Sequence, residues 1–226
     1  MLITAILGSP HGFKGNTSVL ASWLLWEAEQ AGAKIMGISL GDYDIRPCLG
    51  CEACQKSEAC PVDDDFNSII KAVENSDGIV LVSPMHFFGC SASMKTFIER
   101  SRSILLRQQW AGKYGAVVMT SGDTGCGKAT RTLLGFLQAA GCWTVGSVHA
   151  MVSSWQDEDQ RRQSFRDACA LGLRLTRAIR QQQVFEEQRP VIEAYGQHLQ
   201  CMNSTQIFTE HGKRLAVSPL LHEVTS

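Results

Sequence analysis

Four cysteines, Cys48, Cys51, Cys54 and Cys60, stand within thirteen residues of a chain whose other five thiols are scattered singly. The spacing is C-x2-C-x2-C-x5-C, with Pro61 directly behind the last thiol. Thiolates gathered in this number on one loop ligate an iron-sulfur cluster or zinc, or pair as a redox-active disulfide. Zinc sites usually offer two separated cysteine pairs or a cysteine and histidine mixture, and a third cysteine after only two residues crowds a tetrahedron made from one loop. Structural disulfides fit less well, because Met1 to Leu7 is too short and lacks the basic start of a signal peptide, and a chain of 226 residues builds a core without staples. An iron-sulfur cluster is therefore the leading reading, with reduced thiols, zinc and a redox disulfide left open. Cys90, Cys126, Cys142, Cys169 and Cys201 lie in apolar or helical surroundings, where free cysteine packs as a small hydrophobe.

The cysteine run resembles the one that ligates a cubane cluster in bacterial ferredoxins. Composition bounds what surrounds it. With 44% hydrophobic residues the chain suits one α/β domain, expected over residues 1–185, followed by an extension over 186–226. A balance of 21 basic against 22 acidic residues gives no electrostatic footprint for nucleic acid and no basic face for a membrane. No apolar run approaches the length of a membrane-spanning helix, so a cytoplasmic location is expected.

The elements that must position the thiols alternate between strand and helix. Leu2 to Leu7 is a short apolar run ending in Gly8-Ser9-Pro10, as in a strand buried in a parallel sheet. From Thr17 to Ala31, Val19, Leu20, Trp23, Leu24 and Ala28 recur at helical spacing, and Gly32 supplies a stop. Lys34 to Leu40 reads as the second strand. After the cysteine loop, Asp63-Asp64-Asp65 offers N-caps for a helix through Asn75. Strands follow at Ile79 to Val82, Tyr114 to Thr120 and Trp143 to His149, separated by helices over Ser91 to Leu106 and Lys128 to Ala140. Asp157 to Gln183 is a long polar-rich helix, Arg189-Pro190 is a breaker, and Val191 to Gln200 is a further helical stretch. Ser204 to Ser226 has no clear period. This alternation implies a doubly wound five-stranded parallel sheet in the flavodoxin-like order 2-1-3-4-5, with ligands at the carboxyl ends of the strands.

Three loops would meet at that edge. In Gly8 to Thr17 small residues expose backbone N–H groups where a helix begins, a place for a phosphate, with Ser9, Lys14, Asn16 and Thr17 completing its shell. The glycine spacing does not give G-x-x-x-x-G-K-[ST], which argues against an NTP-hydrolysing loop. Ser83-Pro84-Met85-His86-Phe87-Phe88-Gly89 offers aromatic and polarizable walls for a flat ligand. Ser121-Gly122-Asp123-Thr124-Gly125-Cys126-Gly127 would cover the other edge of the ring. Taken singly, each is also an ordinary loop; together they describe a phosphate anchor with a planar slot.

G-S-P-x4-G-N-T at Gly8 to Thr17, P-C-x-G-C-x-x-C from Pro47 ending in Cys60 before the aspartates, and S-P-x-x-F followed by K-x-F-I-E-R at Lys95 to Arg100 carry a more specific likeness. With them the chain resembles the flavodoxin-fold NAD(P)H-dependent FMN reductase superfamily, in its iron-sulfur flavoprotein branch, over roughly the first 150 residues, within the size of one domain. The resemblance implies FMN, its phosphate held by Ser9, His11, Asn16 and Thr17 and its ring framed by Pro84 to Gly89 and Ser121 to Asp123. It implies a 4Fe-4S cluster on Cys48, Cys51, Cys54 and Cys60. His86, following Pro84 at the strand mouth, is the candidate for handling nicotinamide or substrate beside the flavin. The resemblance also implies a homo-oligomer, dimer or tetramer, that completes the flavin pocket from a neighbour, with Trp110, Trp155 and the segment after Gln188 as candidates.

The function expected is an FMN-dependent oxidoreductase taking electrons from NAD(P)H or ferredoxin to a small acceptor such as a quinone, with the cluster as a one-electron relay. The alternatives are a flavodoxin-like electron carrier without its own substrate, an FMN reductase without the cluster, or a zinc or thiol redox sensor. A carrier usually relies on strong surface charge to steer its encounters, which this chain lacks.

Overall fold

In the computed structural model, which describes residues 1–57 and 59–204, the first apolar run forms strand β1 (Leu2–Leu7), followed by helix α1 (Asn16–Gln30) and strand β2 (Lys34–Ser39). The cysteine loop leads into α2 (Phe66–Val73) and β3 (Gly78–His86), which turns back through the two-residue β4 (Gly89–Cys90). Next come α3 (Ala92–Arg100), α4 (Arg102–Arg107), β5 (Tyr114–Ser121), α5 (Gly127–Ala139) and β6 (Trp143–Met151), then α6 (Glu158–Gln181) and α7 (Arg189–Ser204). The strands pair in parallel in the order β2-β1-β3-β5-β6, while β4 pairs antiparallel with the end of β3. Setting that small hairpin aside, this is the flavodoxin-like order the alternation implied.

The central strands are apolar on both sides because both sides are covered. Side chains alternate along a strand, so Ile79 and Leu81 of β3 join a core with Phe66, Met94, Phe97 and Leu133 of α2, α3 and α5. Val80 and Val82 face the opposite core with Leu20 and Leu24 of α1 and Leu171 and Leu175 of α6. At Gly172 an added Cβ would collide with the Leu24 backbone carbonyl, so α6 lies against α1 at a distance that only glycine permits.

Several elements differ from the sequence expectation in instructive ways. The helix expected over Ser91 to Leu106 is two helices, broken where the Ser101 hydroxyl donates to the Phe97 carbonyl at 2.7 Å and competes with the backbone ladder. The helix after the aspartates is shorter, Phe66–Val73, and its N-cap residue Asp65 makes no side-chain cap bond. Asp64 accepts the N–H of Phe66, the first helical residue, at 3.1 Å, and the aspartates also tie the base of the cysteine loop: Asp65 accepts from the Asp44 backbone N–H at 2.8 Å, and Asp64 from that of Arg46 at 2.9 Å. Arg189-Pro190 opens α7 rather than ending a helix, since proline in a first turn forfeits no bond. Trp110 is a core residue, 1% exposed and edge-on to Phe136, while Trp155 packs on Trp23 with ring centroids 5.4 Å apart. Residues 205–226, and with them the arm or lid expected beyond α7, lie outside the described residues. Among the described residues no helix is long and apolar enough to cross a membrane.

Asp64 also receives both terminal nitrogens of Arg100, Nη1 at 2.5 Å and Nη2 at 2.9 Å, in a pair whose two side chains have no exposed surface. The donating guanidinium holds the Asp64 carboxyl down at about 2. A depressed carboxyl contributes stability that is fully present above its unfolded-state value near 4 and is lost as pH falls towards 2, here about 2 kcal/mol. Urea unfolding of the parent and of Asp64→Asn across that range should show the parent losing about 2 kcal/mol more than the variant. Parallel curves would exclude a charged Asp64 as the anchor.

Candidate functional site

The carboxyl ends of β1, β3 and β5 open into a cleft of about 370 Å³ lined by Ser9, His11, Asn16 and Thr17 from the first loop, Pro84 to His86 from the second and Thr120 to Gly122 from the third. Pro10, Gly15 and, from beyond β6, Val152 complete the lining. Gly15 is the N-cap of the fifteen-residue α1 and supplies no side chain to its first N–H groups, so that helix end points bare dipole into the cleft. An added Cβ at Gly15 would sit 3.1 Å from the His11 Cβ and 3.3 Å from the Ser9 Oγ, filling the cradle that the loop leaves. Across from it, the buried Ser121 hydroxyl has no hydrogen-bond partner among the described residues. A bare helix N-terminus and an orphaned buried hydroxyl facing one slot fit a ligand with an anionic terminus and a polar ring, as FMN has.

The walls are bonded to one another beneath the cleft. Ser91 caps α3, accepting from the Met94 N–H, and its hydroxyl donates to the Gly8 carbonyl at 2.5 Å. The Ser83 hydroxyl accepts the Ser91 N–H at 3.0 Å. On the other side the Thr17 and Thr120 hydroxyls share a bond of 2.5 Å. Thr120 and Val152 escaped the sequence reading; Thr120 could have been found as the hydroxyl that ends a buried strand next to the third loop.

Lys14, Phe87, Phe88, Gly89 and Asp123 do not line the cleft. Lys14 is exposed in a short 3-10 turn, and Asp123 is exposed beyond Gly122. Phe87 and Phe88 form the two-residue loop between the paired His86 and Gly89, with φ of 48° and 66°. A loop of that length needs left-handed residues to match the twist of its strands, and it sends both rings outward, Phe87 to 99% exposure. Pro84, Met85 and His86 are thus the residues of this loop that face the slot, His86 exposed at its lip.

The cysteine loop lies against the α2, α3 and α4 side of the sheet. Cys60 is half-buried and packs on the core, Cys54 is half-buried, and Cys48 and Cys51 are exposed. Asn67 clamps Cys60, accepting its N–H at 3.1 Å and donating to its carbonyl at 2.8 Å. Arg107 donates to the carbonyls of Cys54 at 3.0 Å and Gln55 at 3.2 Å, and Arg100 to that of Arg46 at 2.7 Å. Burial pushes the Cys54 thiol up, Arg102 pulls it back, and Cys60 and Cys48 are near enough for their charge to raise it further. Among the described residues no three cysteines, histidines or carboxylates are grouped to hold a single metal ion. The donor set itself, four thiols on one loop with Arg102 and Arg107 beside Cys54, has the chemistry of sulfur ligation to a polynuclear centre.

Comparison with known proteins agrees with this geometry. The NADPH-dependent FMN reductase family matches residues 1–157. An iron-sulfur flavoprotein of Methanocaldococcus jannaschii is 35% identical over 130 residues, 58% of this chain and 67% of that protein. One of Archaeoglobus fulgidus is 33% identical over 125 residues, 55% of this chain and 56% of the relative. The chain thus matches about half to two thirds of the length of these relatives. A solved flavodoxin from the domain Archaea superimposes with a TM-score of 0.53 at 14% identity, covering 80% of this chain and 99% of that one, and shares the fold. Sheet order, cleft and the match over its first 157 residues place this chain in the NADPH-dependent FMN reductase family.

Proposed function

We propose that the chain is an NAD(P)H-dependent oxidoreductase that holds FMN in the cleft and delivers electrons to a small acceptor such as a quinone, with a 4Fe-4S cluster on the cysteine loop as a one-electron relay. The observation that carries the flavin half is the single slot shared by the bare N-terminus of α1 and the orphaned Ser121 hydroxyl. When bound there, FMN supplies hydride acceptance and one-electron release. Ser9, His11, Asn16, Thr17 and the first N–H groups of α1 would hold the phosphate, and Pro84, Met85, Ser121 and Gly122 would frame the ring. The cluster half is supported by the four thiols, the arginines around them and the names of the relatives. Ferredoxin is the alternative donor to NAD(P)H. The exposure of Cys48 and Cys51 favours, as a second reading, an FMN reductase whose thiols stay free.

Mass spectrometry of the cofactor released from purified protein should find FMN and not FAD. Asn16→Ala with Thr17→Ala should weaken its retention by about 1.5–3 kcal/mol for each bond lost to the charged phosphate, and unchanged affinity would refute the phosphate assignment. Serine at Cys48, Cys51, Cys54 or Cys60 should each lower the iron content of anaerobically purified protein; four variants with the parent's metal content would favour the second reading. His86 stands at the lip of the slot, where a nicotinamide or acceptor would enter. His86→Ala should keep FMN and lower NAD(P)H turnover severalfold, whereas parental kinetics would leave His86 a surface residue.

A further inference from the structure

Arg100 ends α3 and is only 2% exposed. Its two terminal nitrogens are committed to Asp64 and to the Arg46 carbonyl, and the Phe66 ring covers the guanidinium at 4.7 Å. These contacts fix the plane of the guanidinium. The remaining nitrogen, Nε, is buried, and its N–H has no hydrogen-bond partner among the described residues. A buried unpaired donor on a charged group is costly, so its acceptor is the group to look for.

Cys60 is the neighbour that qualifies. It packs on the core cluster that holds Phe66 and Phe97, and the same Phe66 ring covers the Arg100 guanidinium. It is also the thiol whose backbone is held on both sides by Asn67, so it is the fixed member of a set in which Cys48 and Cys51 are exposed. We propose that Arg100 is the positioning residue of the cysteine site: its Nε–H donates to the sulfur at Cys60, orienting that ligand and setting a fixed positive charge against the charge the four thiolates gather. This rests on the cluster reading above. A cation and a hydrogen bond at a ligating sulfur favour the state that carries one more electron, so Arg100 raises the reduction potential of the site as well as its hold on iron. The Asp64 carboxylate serves as the orienting partner of Arg100, bidentate and planar, a geometry that lysine does not reproduce.

The test uses the full chain, purified anaerobically and reconstituted with iron and sulfide. Arg100→Lys keeps a charge without the planar donor set. The double variant Arg100→Gln with Asp64→Asn removes both charges together, so that no buried carboxylate is left alone. FMN content serves as the reporter of a folded flavin domain. Both variants should keep FMN, hold at least about twofold less iron per chain or, in the protein that retains it, titrate at a more negative midpoint in redox titrations followed by electron paramagnetic resonance. A merely structural arginine would leave that midpoint in place. Labelling with [15N]arginine should give a nitrogen coupling to the reduced site in the parent that persists in Arg102→Lys and Arg107→Lys, whose arginines also lie by the loop, and disappears in Arg100→Lys. A parent that takes up no iron overturns the cluster reading and this inference with it. A parent that takes up iron, with variants that match its midpoint and retention or with no arginine coupling, overturns this inference alone.

Discussion

The cleft exists because β3 lies on the opposite side of β1 from β2. The chain leaves β1 through α1, which packs on one face of the sheet, and leaves β3 towards α3, which packs on the other. Two neighbouring parallel strands whose continuations part in this way leave a crevice beyond their carboxyl ends. All that makes a site of the crevice follows from which residues stand at those ends: Ser9 to Thr17 after β1, Pro84 to His86 closing β3, and Ser121 and Gly122 after β5. The cysteine loop lies on the connection between β2 and β3, so the same topology that opens the flavin slot carries the thiols to the side of the sheet covered by α3 and α4.

A crevice alone would be soft, and hydroxyls stiffen this one. The bonds from Ser91 to Gly8 and from Thr17 to Thr120 each join two of the three loops beneath the slot, the bond from Ser91 to Ser83 closes the base of the second, and all of these residues are buried. Small side chains suit this task because they bridge backbone to backbone without filling the space a ring would take. The Ser121 hydroxyl is left over from this scheme. A preorganised floor with one unspent donor lowers the ordering cost of binding, since the protein has already fixed the groups that meet the ligand.

How much of this was legible depended on the range of the interaction that decides each feature. The strands β1, β3 and β5 were readable because a strand buried on both faces must be apolar throughout, and β1 and β5 are nearly so. The phosphate loop was readable because glycines and hydroxyls before a helix act locally. The direction of Phe87 and Phe88 was not, since a two-residue hairpin normally announces itself with asparagine and glycine, and here two phenylalanines take the left-handed φ instead. Nor was the role of Asp64. As one of three consecutive aspartates before a helix it reads as a cap, and only the fold reveals a buried arginine 36 residues away that claims it.

That long-range pair separates the two halves of the molecule in kind. The flavin slot is held by hydrogen bonds between neutral groups within a packed sheet edge, whereas the cysteine loop is held to the domain by the Asn67 amide at Cys60 and by charged side chains: Arg100 through Asp64 and the Arg46 carbonyl, Arg107 through the carbonyls of Cys54 and Gln55. Replacing a buried ion pair with apolar residues is often neutral or stabilising, so stability alone does not explain why a fold would keep one here. A loop that presents several thiols has a reason to. Arginines that grip the loop by its carbonyls bring positive charge beside its thiols, which an apolar clasp would not do, and Arg102 opposes the burial that raises the Cys54 thiol. The loop is therefore fastened by arginine side chains that bring positive charge close to its thiols.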